Sequence, residues 1–325
     1  MRKLKKISLG LLLFLVISAI GGYIYFKSAF KPASSQLTIR AENASFPFLW
    51  ESDTINRVLN PYAAMLLPVS LKGCPETYFM QFDLGAPSSL FYKNKLEAIN
   101  NRYHNLVLQQ QDGESELVNF QFTIGRTLVD AKKIAARQFD SSEIDWTDTT
   151  TRNIIGTIGT DFFEDKVLVI DYPKKQLYVG DKIPANLAAG AELADFKFES
   201  RRVLLPAVIN NKTVDIFFDS GTSAFELMTD KRTWESLAKK GATVDRYPVR
   251  SWDNQLMVNT VATDCSIRFH LFDTPLRQVT YVEGTSFLQR MLMQFGGVGG
   301  LTGNKLFINK IVLLDTKNKK FGVFD

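Results

Sequence analysis

Cysteine and histidine are almost missing from this 325-residue chain, which has two of each. Cys74 and Cys265 are too few for a disulfide framework, and no zinc-ligand spacing surrounds them. They leave two readings open: one bridge in an oxidising compartment, or two buried free thiols. His104 and His270 stand far apart and support neither a metal pair nor a Ser-His-Asp triad. Excess charge is missing from the body as well. The formal net charge is +5, but Arg2, Lys3, Lys5 and Lys6 supply four of those charges, leaving about +1 for the rest. Lys174-Lys175, Arg201-Arg202 and Lys319-Lys320 fall where turns are expected and read as solvated surface, so no basic stripe is offered to nucleic acid. What the chain does have is apolar content, 45% with 12% aromatics, enough to build the cores of two domains.

One long apolar run occurs. Ile7 to Phe26 are twenty uncharged, mostly apolar residues behind a basic flank, a length that crosses a bilayer as a helix. The flank is expected to stay in the cytoplasm. A cleaved signal peptide is the rival reading, but the run is longer than a usual signal core and no clean Ala-x-Ala site follows it. The expected organisation is a cytoplasmic flank and signal anchor over 1–26, a Pro/Ser/Lys linker over 27–36, a first lobe over 37–190 and a second over 191–325. The body is expected outside the cytoplasm, periplasmic or extracellular, with release of a cleaved secreted form as the variant of that reading.

Two segments are near copies: Phe82-Asp83-Leu84-Gly85-Ala86 and Phe218-Asp219-Ser220-Gly221-Thr222. Each is preceded by Leu-Leu-Pro, at Leu66-Leu67-Pro68 and Leu204-Leu205-Pro206. Each is followed by a second matching block, Gly156 to Phe163 and Gly300 to Phe307. Lys166, Asp171, Lys175 and Val179 then run in step with Lys310, Asp315, Lys319 and Val323. The offsets are 138 at the prolines, 136 at the aspartates and 144 at the glycines, so one unit is used twice. The pattern break at residues 183–190 marks the boundary between the copies.

The apolar runs are short. Hairpins are expected from Met65–Leu71 with Tyr78–Phe82, from Val203–Asn210 with Val214–Phe218, and from Asn105–Gln121 with Asp112-Gly113 at its tip. Further strands are expected at Val167–Ile170, Phe225–Met228, Leu256–Val261, Ser266–Phe272, Arg277–Val282, Ile311–Leu314 and Phe321–Phe324. Helices are expected over Lys93–Arg102, from Thr229 or Asp230 to Lys240 with Gly241 ending it, and over Ser286–Phe295. A strand and a short helix over Thr54–Leu59, capped by Asp53, are expected before Asn60. The class is therefore all-β, β-rich with a few short helices, and bilobal.

Duplication lets a fold bring two aspartates together at a near two-fold axis. Two carboxylates in hydrogen-bond contact cannot both ionise easily, so they share a proton; one then takes a proton from water while the other donates to a peptide carbonyl. Glycine two residues after each aspartate lets the loops approach closely, and Ser220 and Thr222 bring hydroxyls to the Asp219 loop. At these residues the chain resembles the pepsin-like and retropepsin-like aspartic peptidases. Phe218 to Ser223 matches their hydrophobic-Asp-Thr/Ser-Gly-Thr/Ser-Ser pattern throughout, and the Gly156 and Gly300 blocks look like their hydrophobic-Gly element. The resemblance spans Met65 to Asp325. It implies a pepsin-like fold of two lobes, with Asp83 and Asp219 catalytic on the floor of an inter-lobe cleft. Leu84, Gly85, Ser220, Gly221 and Thr222 support them. The substrate implied is an extended polypeptide, with neither cofactor nor metal ion, and the activity an endopeptidase.

The first loop departs from that family. Its members carry Thr or Ser after the aspartate, whose hydroxyl reaches the opposite loop; Leu84 cannot do so, which makes a catalytically silent, polypeptide-binding module the alternative reading. Pro87 is an extra residue. The hairpin at Asp112-Gly113 is the flap by position but lacks the tyrosine pepsins place there, and Tyr103 precedes it. Gly296 to Lys305 has phosphate-loop composition, but Asn304 separates glycine from lysine and the duplication explains the segment better. Asn43-Ala44-Ser45 and Asn211-Lys212-Thr213 fit the glycosylation triplet.

Overall fold

Alternating and wholly apolar runs become strands throughout the body, because both patterns present a continuous apolar face to a pleated sheet. The computed structural model describes residues 34–325 apart from 112–113, 140–142, 149, 190, 252–253 and 284–297. In the first lobe the strands are β1 (Leu37–Ile39), β2 (Asn43–Pro47), β3 (Leu49–Ile55), β4 (Val58–Leu71), β5 (Tyr78–Phe82), β6 (Leu90–Tyr92), β7 (Gln109–Gln111), β8 (Glu114–Ile124), β9 (Thr127–Arg137), β10 (Ile154–Ile158), β11 (Val167–Asp171) and β12 (Gln176–Gly180). Helix α1 (Lys93–Tyr103) follows β6. Among the described residues six of these strands close into a ring, β9-β6-β10-β5-β4-β8, which returns to β9 through the long β8–β9 hairpin. Closure leaves no exposed edge in the ring.

The second lobe repeats part of this path, with its strands in two sheets rather than one ring. After the short α2 (Ala185–Ala188) come β13 (Ala194–Asp195), β14 (Lys197–Glu199), β15 (Arg202–Ile209), β16 (Lys212–Phe218), α3 (Lys231–Leu237), β17 (Val244–Ser251), β18 (Asn254–Ala262), β19 (Ser266–Phe269), β20 (Phe272–Pro275), β21 (Gln278–Glu283), β22 (Val298–Thr302), β23 (Ile311–Asp315) and β24 (Lys320–Phe324). β16 runs parallel to β22 as β5 runs parallel to β10. The part of β6 is taken by Met228 alone, which bridges Thr280 and Leu301.

A shared sheet joins the copies in the order β13-β24-β23-β11-β12-β2. Its centre pairs β11 with β23 antiparallel, and the middle pair is Val169 with Leu313, each the repeat of the other at the 144-residue offset. The two-fold relation shows in the loops too. Lys175 and Lys319 share a left-handed turn, at φ 53° and 56°, and their carbonyls accept from Phe48 and Phe196, both at 3.0 Å. Central strands are buried on both faces, so residues 35–325 form one compact unit with no separate core for each half.

Several expectations need correction. Residues 49–60 form no helix: the Asp53 carboxylate does accept from Thr54 N at 2.7 Å, but inside β3, because pairing with β4 overrides the local cap. Phe225–Met228 shrinks to the single Met228 bridge. The second helix stops at Leu237, where Ala238 turns extended, and Gly241 sits at φ 76° in the next turn. Ser266–Phe272 is split by a turn at His270 into β19 and β20. Gly296 and Gly297 lie outside the described residues, and Val298–Thr302 is strand. The expected helix Ser286–Phe295 and the apolar run Ile7–Phe26 also lie outside them. Among the described residues no helix is long and apolar enough to cross a membrane. Cys74 and Cys265 are free, half-buried thiols. His104 ends α1 in a left-handed cap at φ 53°, its N–H donating to Asn100 O at 2.8 Å.

Candidate active site

Each aspartate leaves the end of a buried strand, and the parallel neighbour strand catches the turn that follows. The Asp83 amide donates to Ile158 O at 3.0 Å and the Asp219 amide to Thr302 O at 2.9 Å, the same bond in both copies. Beneath them fully buried rings pack in matching pairs, Phe82 with Phe163 and Phe218 with Phe307. Each carboxylate then accepts from the glycine amide two residues on, Gly85 N and Gly221 N, both at 2.8 Å.

The glycines explain how the loops meet. A Cβ on Gly85 would lie 2.5 Å from Asp219 Cγ, and one on Gly221 would lie 2.7 Å from Asp83 Oδ1. Each glycine therefore seats the other copy's carboxylate, and no larger residue leaves room. Asp83 and Asp219, 136 residues apart, hydrogen-bond to each other through their side chains. Burial first, and the Asp83 charge second, lift Asp219 well above the usual carboxylate range, against the pull of the Gly221 and Thr222 amides. The two carboxyl groups therefore share one proton. Both residues are half-buried.

The ties around the pair are unequal. Ser220, fully buried, crosses between the lobes: its Oγ accepts from Leu84 N at 2.8 Å and donates to Phe82 O at 3.1 Å. The matching position in the other loop, Leu84, is buried among apolar side chains and returns no such bond. Thr222 Oγ1 donates to Asp219 O at 3.0 Å, folding the loop back on itself.

Four further residues shape the site without having stood out in the sequence as such. Asn304 Nδ2 donates to Ser220 O and Ser223 Oγ, and its Oδ1 accepts from Tyr172 OH. Asp161 Oδ1 accepts from both Ser89 N and Ser89 Oγ, and burial lifts its pKa. Glu226, 3% exposed, holds the Arg277 and Gln278 amides. Arg201 overturns its assignment to solvated surface: it is 4% exposed, and from the β14–β15 turn it donates to Pro87 O and Ser88 Oγ behind Asp83 and pairs with Glu164 at 2.7 Å. Asn304 and Asp161 lie inside the repeated blocks, where their position was the available signal. No charge pattern distinguishes a buried Arg201 from an exposed one.

The hairpin expected over Asn105–Gln121 is present as β7–β8, with its tip at residues 112–113 outside the described residues. Among the described residues no group of three or more His, Cys, Asp or Glu side chains is gathered to hold a metal ion.

No protein-family model matches the sequence, and no curated protein does. Among solved structures, the aspartic proteinase from Irpex lacteus is similar at a TM-score of 0.46 and 11% identity, over 87% of this chain and 97% of that one.

Proposed function

We propose that this chain is an aspartic-type endopeptidase, held to a membrane by Ile7 to Phe26 with its lobes outside the cytoplasm. The observation that carries the reading is the proton-sharing pair formed by Asp83 and Asp219 where the lobes meet. A water between the carboxyl groups gives a proton to the ionised member of the pair as its oxygen attacks the carbonyl carbon of a bound peptide, while the protonated member donates to the carbonyl oxygen. The first carboxyl then gives its proton to the amide nitrogen as the C–N bond breaks, and the second takes a proton back from a hydroxyl of the intermediate, which restores the pair. Any apparent pKa values belong to the pair.

The full-length protein is expected to cleave an unfolded protein substrate at acidic to neutral pH, in a pepstatin-sensitive way. Asp83→Asn and Asp219→Asn should each lower that rate by at least about a thousandfold. Hydrolysis that persists in both variants removes the claim.

A second reading is favoured by Leu84. With one cross-lobe hydroxyl missing, the same junction serves as a polypeptide-binding site without turnover. Cleavage that appears only in Leu84→Thr selects this reading; strong turnover by the native chain discards it.

A further inference from the structure

The hairpin β3–β4 overshoots its counterpart β14–β15. Leu66 lies nine positions beyond Arg57 in the first turn, whereas Leu204 lies three beyond Arg201. The longer arm has an exposed tip, with Val58 67% and Leu59 63% exposed, and it bounds a pocket of about 460 Å³ against the second lobe. That size suits a small ligand or a side chain of a larger one. Asn60 and Tyr62 line it from the hairpin, and Phe225, Tyr247, Arg277 and Lys305 from the other side. Phe225 lies six residues beyond Asp219, so this wall is at most about 22 Å of chain from the carboxyl pair.

The pocket is rich in donors that lack acceptors. Glu226 beneath it already accepts three hydrogen bonds, from Arg277 N at 2.7 Å, Arg277 Nε at 2.8 Å and Gln278 N at 3.2 Å. Lys305 Nζ stands 3.9 Å from Glu226, beyond hydrogen-bond reach. The Arg277 side chain is 75% exposed, which leaves its terminal nitrogens open. Asn60 Nδ2 is shielded from solvent and has no hydrogen-bond partner among the described residues. Asp245 is the other acidic group on the wall. Burial, with Arg277 adding to it, holds the Lys305 ammonium below its ordinary pKa despite Glu226, so a further negative charge would relieve it.

We propose that this pocket is an outer subsite that takes a carboxylate, an acidic side chain of the polypeptide lying across the aspartates, on Lys305 and Arg277 with Asn60 as a neutral donor. The proposal rests on the reading that an extended polypeptide occupies the lobe junction. It is tested by binding on the full-length Asp219→Asn protein, using fluorescein-labelled octapeptide pools with glutamate or glutamine fixed at one position at a time.

At one position the glutamate pool should bind about tenfold more tightly than the glutamine pool, as a charge-assisted bond predicts. Lys305→Met should remove the preference. Arg277→Gln, which keeps a donor for Glu226, should reduce it several-fold, as should Asn60→Leu, and either serves if Lys305→Met does not fold. Equal binding at every position, or a preference that survives Lys305→Met and Arg277→Gln, overturns the subsite. A glutamate preference in a chain whose native form hydrolyses nothing keeps the subsite and removes the peptidase; hydrolysis without the preference does the reverse.

Discussion

The loops carrying Asp83 and Asp219 share a backbone path but are held by different chemistry. The Asp219 loop is tied by hydroxyls and an amide close in sequence or in its own lobe's repeat block: Ser223, Thr222 and Asn304. The Asp83 loop has Leu84 and Ala86 where hydroxyls would stand, and the second lobe reaches into it twice, through Ser220 and Arg201. Their hairpins diverge in the same way. Asn56-Arg57 and Ser200-Arg201 are left-handed two-residue turns, at φ 49° and 63° against 49° and 60°. Arg201 is buried behind Asp83, while the extended first hairpin leaves Arg57 exposed. After duplication, a lost contact in one copy can be replaced by a longer reach from the other, so the symmetry of the carboxyl pair does not require symmetry in its supports.

Four measurements test how differently the two loops are held. The largest effects should come from Gly85→Ala and Gly221→Ala, each destabilising by about 3 kcal/mol in urea unfolding, because either Cβ collides with the opposite carboxylate. Markedly unequal losses would show that the loops do not approach one another equally. Next, Arg201→Met should cost about 3 kcal/mol through its lost charge-assisted bonds, whereas Arg57→Met should stay within about 0.5 kcal/mol. Similar losses for the two arginines would erase the contrast between the hairpins. Ser220→Ala should cost about 2 kcal/mol, since it strips a partner from Leu84 N and from Phe82 O at once, and Thr222→Ala about half as much.

The smallest effect is the pH dependence. Asp219 binds its proton more tightly folded than unfolded, so between the unfolded carboxylate value, about 4, and its raised folded value the native state holds more protons. Its contribution to stability is therefore full below about pH 4 and declines as pH rises. Asp219→Asn should flatten the Tm–pH curve from pH 4 to 8. A curve as steep in the variant as in the native chain would place the proton elsewhere.

Much of this layout was legible in residue order. The strand ends at Phe82 and Phe218, the helix beginning at Lys93 and the closing pair Ile311–Leu314 with Phe321–Phe324 all follow from local apolar pattern and turn composition. The first hairpin was not legible, because Asp53-Thr54 has the chemistry of a helix cap and only pairing with β4 settles the matter. Arg201 and Glu226 were illegible for a related reason: a charged residue is buried only when distant partners satisfy it, and those partners are 37 to 114 residues away for Arg201 and about 50 for Glu226.

The doubled unit, the all-β class and the two Asp-x-Gly turns can be read from residue order alone, since each is a matter of local spacing and pattern. Long-range packing is what brings Asp83 and Asp219 together, lifts the Asp219 carboxyl above its ordinary range, and has one hairpin insert an arginine while the other frames a pocket. Those outcomes depend on burial and on contacts across more than a hundred residues of chain, where desolvation and the field of a distant partner set the energy and no local pattern records it.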